Sequence, residues 1–208
     1  MLSAPKRKEV LARLKAAYPD AKPALHFGSA YELLVAVILS AQCTDARVNL
    51  VTAELFARAN TPEAMLALGQ DELAKAIHSC GFFNDKAKHI MAMSRMLCEN
   101  FGGEVPRLRE ELETLPGVGR KTASVVLAVA FAVPAIAVDT HVFRVSNRIG
   151  LAEAKTVEKT EQQLMANIPK RDWIDAHHWL ILHGRQLCKA QKPRCGECVL
   201  RGLCAHAQ

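Results

Sequence analysis

Apolar residues at helical spacing, interrupted again and again by proline and glycine, run through nearly the whole chain, and no segment alternates apolar and polar as a half-buried strand would. In residues 6–18 the side chains of Val10, Leu11, Leu14, Ala17 and Tyr18 share one helical face, and Pro19 stops the run. Residues 31–40 are apolar nearly all round; their length and the lack of any partner strand predict a buried helix. Thr44 can cap a helix that turns Val48, Val51, Leu55 and Phe56 inward, and Thr61-Pro62 reads as a cap followed by proline at the first helical position. Gly81 stands where a helix ending at Cys80 wants a left-handed residue. Further helices are expected over 84–100, 108–115, 121–131, 142–149, 157–167 and 172–188, with Pro106, Pro116 and Pro134 between them. An all-α chain of short helices follows. Its chemistry must lie in the connections and at the C-terminal end.

With 208 residues the chain can bury a full core in one or two domains. Its net charge of +6 and pI near 9.0 favour a polyanionic partner such as nucleic acid or an acidic membrane surface. The N-terminal stretch lacks an apolar core of signal-peptide length, and the most apolar run, 33–39, is too short to cross a bilayer. A cytoplasmic protein with no membrane partner is the expectation. Seven cysteines, an odd number, argue against a disulfide framework in that compartment.

Four of those cysteines, Cys188, Cys195, Cys198 and Cys204, crowd into the last 21 residues as C-x6-C-x2-C-x5-C. Soft thiolates this close suit a metal centre, and the spacing leaves zinc and an iron–sulfur cluster both open. Cys43, Cys80 and Cys98 lie inside helical patterns and read as small buried hydrophobes. Around the motif Arg185, Lys189, Lys192, Arg194 and Arg201 face a single acid, Glu197. A loop over 188–195 pinned at both ends by a metal could present cations to a phosphate backbone; equally, those cations could offset the charge of an anionic cluster.

The stretch LPGVGRKT, 115–122, looks at first like a nucleotide loop, but the P-loop pattern fails. Arg120 separates Gly119 from Lys121, Thr114 stands where a glycine is required, and no strand precedes it. What remains is a Pro-Gly-x-Gly turn between two helices. Such a turn can hold one phosphate of a nucleic-acid strand against the N–H groups that open the second helix, or it can be only a tight connection.

Taken in order, LPGVGRKTA, AVDTHVFRV, HHWLILHG and the four-cysteine motif resemble the endonuclease III family, the bifunctional DNA glycosylase/AP lyases of the helix–hairpin–helix superfamily. The resemblance implies a [4Fe–4S] cluster on Cys188, Cys195, Cys198 and Cys204. It also implies two helical domains: a six-helix barrel over 23–133 that carries the hairpin, and a discontinuous cluster domain from 1–22 and 134–208, with DNA in the cleft between. Lys121 matches the family's nucleophile and Asp139 its essential aspartate. A helix from Lys121 to Val133 rises ~18 Å, and residues 134–139 can span roughly 20 Å, so the chain can return toward Lys121. An amine attacks only when neutral, and Arg120, the helix N-terminus and partial burial would favour that form. Asp139 is then cast as acceptor of the lysine's proton or stabiliser of a cationic sugar.

By the same resemblance Lys121 attacks C1′ of the damaged nucleoside, forms a Schiff base and nicks the strand by β-elimination. Gln42 in LSAQCTD fills the gap left by the flipped base, and Phe82 in GFFND stands at the wedge position, where relatives often carry an aliphatic side chain. Asp45 and His141 line the pocket. Gly117, Gly119, Arg120, Arg144, Lys189, Lys192 and Arg194 are the expected DNA-backbone contacts. His177, His178, Trp179 and His183 read as packing. The expected partner is double-stranded DNA with a damaged pyrimidine or abasic site, met by a monomer at the bacterial nucleoid. Two rivals stand beside this reading. Lys121 and the lack of a further C-terminal domain count against a monofunctional adenine-removing glycosylase, and a non-catalytic redox-sensing DNA-binding module would leave Lys121 and Asp139 unexplained.

Overall fold

The computed structural model describes residues 1–206 and shows no strand among them; positions 207–208, the end of the expected second segment, lie outside the described residues. The α-helices of the described residues are α1 (Ala4–Ala17), α2 (Ala30–Leu39), α3 (Asp45–Phe56), α4 (Pro62–Leu68), α5 (Gln70–Ala76), α6 (Phe83–Phe101), α7 (Arg109–Leu112), α8 (Arg120–Phe131), α9 (Thr140–Ile149), α10 (Val157–Asn167) and α11 (Trp173–Gln186). The chain divides into two compact units, one of Pro23–Val133 and one of Met1–Lys22 with Pro134–Gln208.

Within Pro23–Val133 the centre is α2. Leu33, Leu34, Val35, Ala36 and Leu39 are buried on every side of it, as an all-apolar helix requires. Ser29 caps its start, accepting a hydrogen bond from the Glu32 N–H at 3.1 Å. Helices α3 and α8 pack against α2, while α4 and α5 pack on α6. Ile90, Met93 and Leu97 form the buried stripe of α6. One polar contact crosses this core: Ser94 Oγ donates to the Ile90 carbonyl at 2.8 Å and stands 2.6 Å from the Tyr31 hydroxyl. That pairing leaves Tyr31 as donor, and burial raises its hydroxyl pKa above the usual range.

Three local features depart from the periodicity. The helix expected over 108–115 is confined to Arg109–Leu112, because the chain tightens with Leu115 N–H on the Leu112 carbonyl before Pro116. Gly69, at φ +83°, breaks the stretch after Thr61 into α4 and α5, a division the apolar pattern does not mark. Of the three cysteines expected to be buried only Cys80 is; Cys43 and Cys98 are half-buried. Gly81 behaves as expected, at φ +57° after the 3-10 turn His78–Cys80.

In the other unit α11 packs against both α1 and α9, and α10 against α9. Val10 and Leu14 of α1 meet Val142, Val145, Trp179 and Leu180 in one core, which also takes Ile136 and Val138 from the extended segment before α9. His177 and His178 are buried there too, and a His177 ring nitrogen stands 2.8 Å from the Ala137 carbonyl. No helix of the described residues is long and apolar enough to cross a membrane.

Leu34→Ala, at a fully buried site on α2, is expected to lower unfolding free energy by about 2–5 kcal/mol. Leu50→Ala, at a residue 64% exposed, should stay within about 0.5 kcal/mol. Chemical denaturation of both variants checks the assignment of the core.

Candidate functional site

The hairpin is built by two glycines with different duties. Gly117 has φ +80°, and a Cβ on it would stand 2.9 Å from the Cβ of His89 on α6, so the turn can lie this close only with no side chain there. Val118, buried, anchors the turn through its N–H on the Leu115 carbonyl at 3.0 Å. Gly119 is the N-cap of α8, in extended backbone, and contributes no side-chain acceptor to the first turn. A Cβ added there would meet open space. The start of a twelve-residue helix thus faces outward without a cap, which is the electrostatic arrangement that favours an anion. Lys121, on the first turn of α8, is exposed, not partly buried as the sequence suggested.

Asp139 belongs to the other unit and caps α9 directly: its Oδ1 accepts the Val142 N–H at 2.7 Å. His141, the second residue of α9, has Nδ1 3.1 Å from an Arg144 Nη2. Burial lowers the His141 pKa most; Asp139 opposes that, while Arg144 and Arg185 reinforce it. The neutral ring beside a capping carboxylate is a polar, half-buried lining. Asp45 opens α3, which Thr44 caps by accepting the Arg47 N–H at 3.3 Å.

Gln42 and Phe82 stand on two turns of the middle unit, and both are exposed with left-handed backbone, φ +54° and +49°. Phe82 is 64% exposed, whereas its neighbour Phe83 packs its ring 4.6 Å from that of His78. One phenylalanine of the pair is therefore anchored and the other projects.

The four C-terminal cysteines line one pocket together with Ile149, Leu187 and Leu200. No three His, Cys, Asp or Glu side chains among the described residues are gathered tightly enough to hold a single ion. Four soft sulfurs around a shared space suit a metal centre, zinc or iron–sulfur alike. Three of the sulfurs' neighbours are donors, while Cys204 Sγ lies 3.4 Å from the Arg148 carbonyl. Arg148 reaches the Cys188 sulfur at 3.7 Å and the carbonyls of Lys189 and Ala190 at 2.7 and 2.9 Å. The Leu200 N–H points at Cys198 Sγ, 3.4 Å away. His183 links the Tyr18 hydroxyl, 3.0 Å from its Nδ1, to Cys198 Sγ, 3.5 Å from its Nε2. Burial pushes the His183 pKa down to about 4, so the ring is neutral near pH 7. With Cys198 as a thiolate ligand, Nε2–H donates to sulfur and the Tyr18 O–H donates to Nδ1. Spacing assigned His183 only to packing; nothing in the sequence placed it beside Cys198.

The expected backbone contacts divide in two. Gly117, Gly119, Arg120, Lys189 and Lys192 are exposed. Arg144 is committed inside its unit, with its Nε on the Cys188 carbonyl and Nη2 on the Gly184 carbonyl, both at 3.1 Å. Arg194 is exposed but paired with Glu197, its Nε at 2.9 Å from the carboxylate. Arg144 therefore acts as a brace for the cysteine loop, and Arg194 reaches an anion only by sharing its guanidinium.

Residues 35–170 match the model of the HhH-GPD superfamily of base excision DNA repair proteins, and residues 188–204 that of the iron–sulfur binding domain of endonuclease III. The chain is 51% identical over 203 residues to endonuclease III of Escherichia coli K12, covering 98% of this chain and 96% of that one. To endonuclease III of Bacillus subtilis it is 54% identical over 192 residues, covering 92% and 88%. A solved structure of a trapped endonuclease III–DNA covalent intermediate, an estranged-adenine complex, superposes with a TM-score of 0.95 at 48% identity, covering 100% of this chain and 98% of that one.

The two hairpin glycines separate by substitution. Gly117→Ala should cost roughly 1–3 kcal/mol through its left-handed backbone, with the His89 contact adding to it. Gly119→Ala should leave the melting temperature nearly unchanged, since the added carbon meets nothing. Thermal unfolding of the two variants side by side checks this.

Proposed function

The chain belongs to the HhH-GPD superfamily of base excision DNA repair proteins, in its endonuclease III branch, and from that premise we propose how its own residues carry the reaction. The protein is a DNA glycosylase and AP lyase with a [4Fe–4S] cluster, and DNA is its partner. The substrate class we propose is duplex DNA carrying an oxidised pyrimidine or an abasic site, bound by a monomer at the nucleoid. The observation that carries the reading is the covalent DNA intermediate of a relative 48% identical over the full chain, joined to a lysine exposed beside an uncapped helix start. The estranged adenine of that complex supports a thymine-like partner as the base removed.

In this reading the start of α8 and Gly119 hold one backbone phosphate, which sets where Lys121 points. The damaged nucleotide leaves the stack, at a cost that a lesion reduces. The neutral Lys121 Nζ forms a bond to C1′ as the glycosidic bond breaks, and the base departs with that electron pair and takes up a proton. Asp139 receives the proton shed by the new C1′–N group and stabilises the cationic sugar while it forms. Asp139 passes that proton to O4′ as the C1′–O4′ bond breaks, and the nitrogen lone pair closes the imine at C1′. Loss of a C2′ proton then expels the 3′ phosphate, and water releases the lysine.

Gln42 fills the gap in the duplex, and Phe82 wedges the opposite strand, where an aromatic ring can stack as well as push. Lys189 and Lys192 meet the backbone from the cysteine loop. When bound, the cluster ties the four points of 188–204 together and keeps that loop in shape. The neutral His183, the Leu200 N–H and Arg148 supply hydrogen bonds toward its ligands.

Borohydride should trap the protein covalently on duplex containing an oxidised pyrimidine. Lys121→Ala should lose the trap while keeping affinity for the same duplex, and Asp139→Asn should slow trapping by about a hundredfold or more. A surviving adduct in Lys121→Ala would remove the mechanism. Gly119→Ala, neutral for folding, should weaken duplex binding, and the log–log slope of affinity against salt should shrink by about 0.9 if one phosphate is lost.

A further inference from the structure

Lys86 is the fourth residue of α6 and is 5% exposed, a degree of burial that lysine tolerates only when its charge is met. Its ammonium donates to three backbone carbonyls: Leu39 at 2.8 Å, Ala41 at 2.7 Å and Cys80 at 2.6 Å. Three donors meet three acceptors, so the group is complete. Leu39 is the last residue of α2, Ala41 lies in the turn after it, and Cys80 ends the 3-10 turn His78–Cys80. These are the carbonyls that a helix leaves unsatisfied at its C-terminal end, where the backbone dipole also favours a cation. Burial lowers the Lys86 pKa, while the neighbouring Cys80 and Cys43 favour the charged form.

The two anchored turns carry the two exposed tips. Gln42 follows Ala41 directly and Phe82 follows Cys80 by two residues, each in the sparsely populated left-handed conformation. Two carbonyls cannot bond to one another, so two turns that end in acceptors can be joined only through a donor set between them. Below the tips, burial first and then the neighbouring Cys43 thiol of the first turn raise the Cys80 pKa.

We propose that Lys86 is a positioning residue for lesion recognition: its ammonium fixes the Gln42 turn and the Phe82 turn in one register, so that both side chains enter a duplex together. The proposal rests on the reading of Gln42 and Phe82 as the residues that enter DNA. A wedge whose two tips are fastened beforehand avoids the ordering that mobile turns would need on binding. The phosphate grip at the α8 hairpin is separate, so Lys86 governs discrimination of a lesion and leaves general affinity alone.

The test uses the cluster-containing full chain and two duplexes, one undamaged and one with a tetrahydrofuran abasic analogue opposite 2-aminopurine, which binds without reacting. Lys86→Met should weaken lesion-duplex binding roughly tenfold or more, leave undamaged duplex within about twofold, and lose the 2-aminopurine fluorescence change. Added to a Gln42→Ala/Phe82→Ala background it should do nothing further, because the effect acts through those tips. Unchanged discrimination in folded Lys86→Met, or an equal loss persisting in that background, would overturn the proposal. If Gln42→Ala and Phe82→Ala themselves leave discrimination intact, the reading of the two tips fails instead. Lys86→Gln, with two donors, replaces the methionine variant should that one not fold; failure of both to fold would make Lys86 a residue of the core and overturn the proposal as well.

Discussion

Short helices end often, and every end leaves backbone groups that the helix itself cannot satisfy. In this chain those ends are where the functional groups gather. The start of α8 is left open at Gly119 and faces outward. The start of α9 is closed by Asp139, which gives the carboxylate a fixed direction. The ends of α2 and of the 3-10 turn at Cys80 are closed together by Lys86. The last turn of α11 passes the His183 carbonyl to the N–H groups of both Leu187 and Cys188, placing the first cysteine of the cluster motif. An open helix start, a capping acid, a pair of anchored turns and the cysteine loop are four answers to one backbone constraint.

The division of labour follows from what each end leaves over. An uncapped helix start favours an anion without reading a base; in the proposed mechanism a phosphate held there sets where Lys121, on the same turn, points. A capping aspartate has its rotamer set by the bond it accepts, so its second oxygen is presented in a defined place. The cysteine loop is braced from α9, by Arg144 on the Cys188 carbonyl and Arg148 on the carbonyls after it. Tyr18, from the N-terminal segment, reaches the same region through His183. That contact gives a physical reason for the first helix to share a unit with the C-terminal third: the hydroxyl completes a neutral imidazole that faces a cluster ligand.

Much of this was legible in the residues. The all-apolar 31–40 stretch is a buried helix because no face of it could meet water, and Thr44, Thr61 and Gly81 cap where their chemistry says they should. Other features depend on contacts far apart in the chain, which periodicity does not report. Nothing near Lys86 marks it as buried, since its acceptors are backbone carbonyls from two other segments. Arg144 is among the expected DNA contacts, yet its guanidinium is turned inward onto the Cys188 and Gly184 carbonyls. The expected burial of Lys121 failed for a related reason: it stands on the first turn of α8, at an open helix start that no neighbouring side chain caps. Spacing likewise left zinc and iron–sulfur open, and the match to the iron–sulfur binding domain of endonuclease III resolves them in favour of the cluster.

The account turns on Lys121 as the atom that bonds to DNA. Its most direct test is to reduce the enzyme–DNA intermediate with borohydride, digest both components and locate the sugar remnant by peptide mass spectrometry. The account predicts the remnant on the peptide containing Lys121, at that side chain. A remnant on the N-terminal amine or on any other lysine would contradict it.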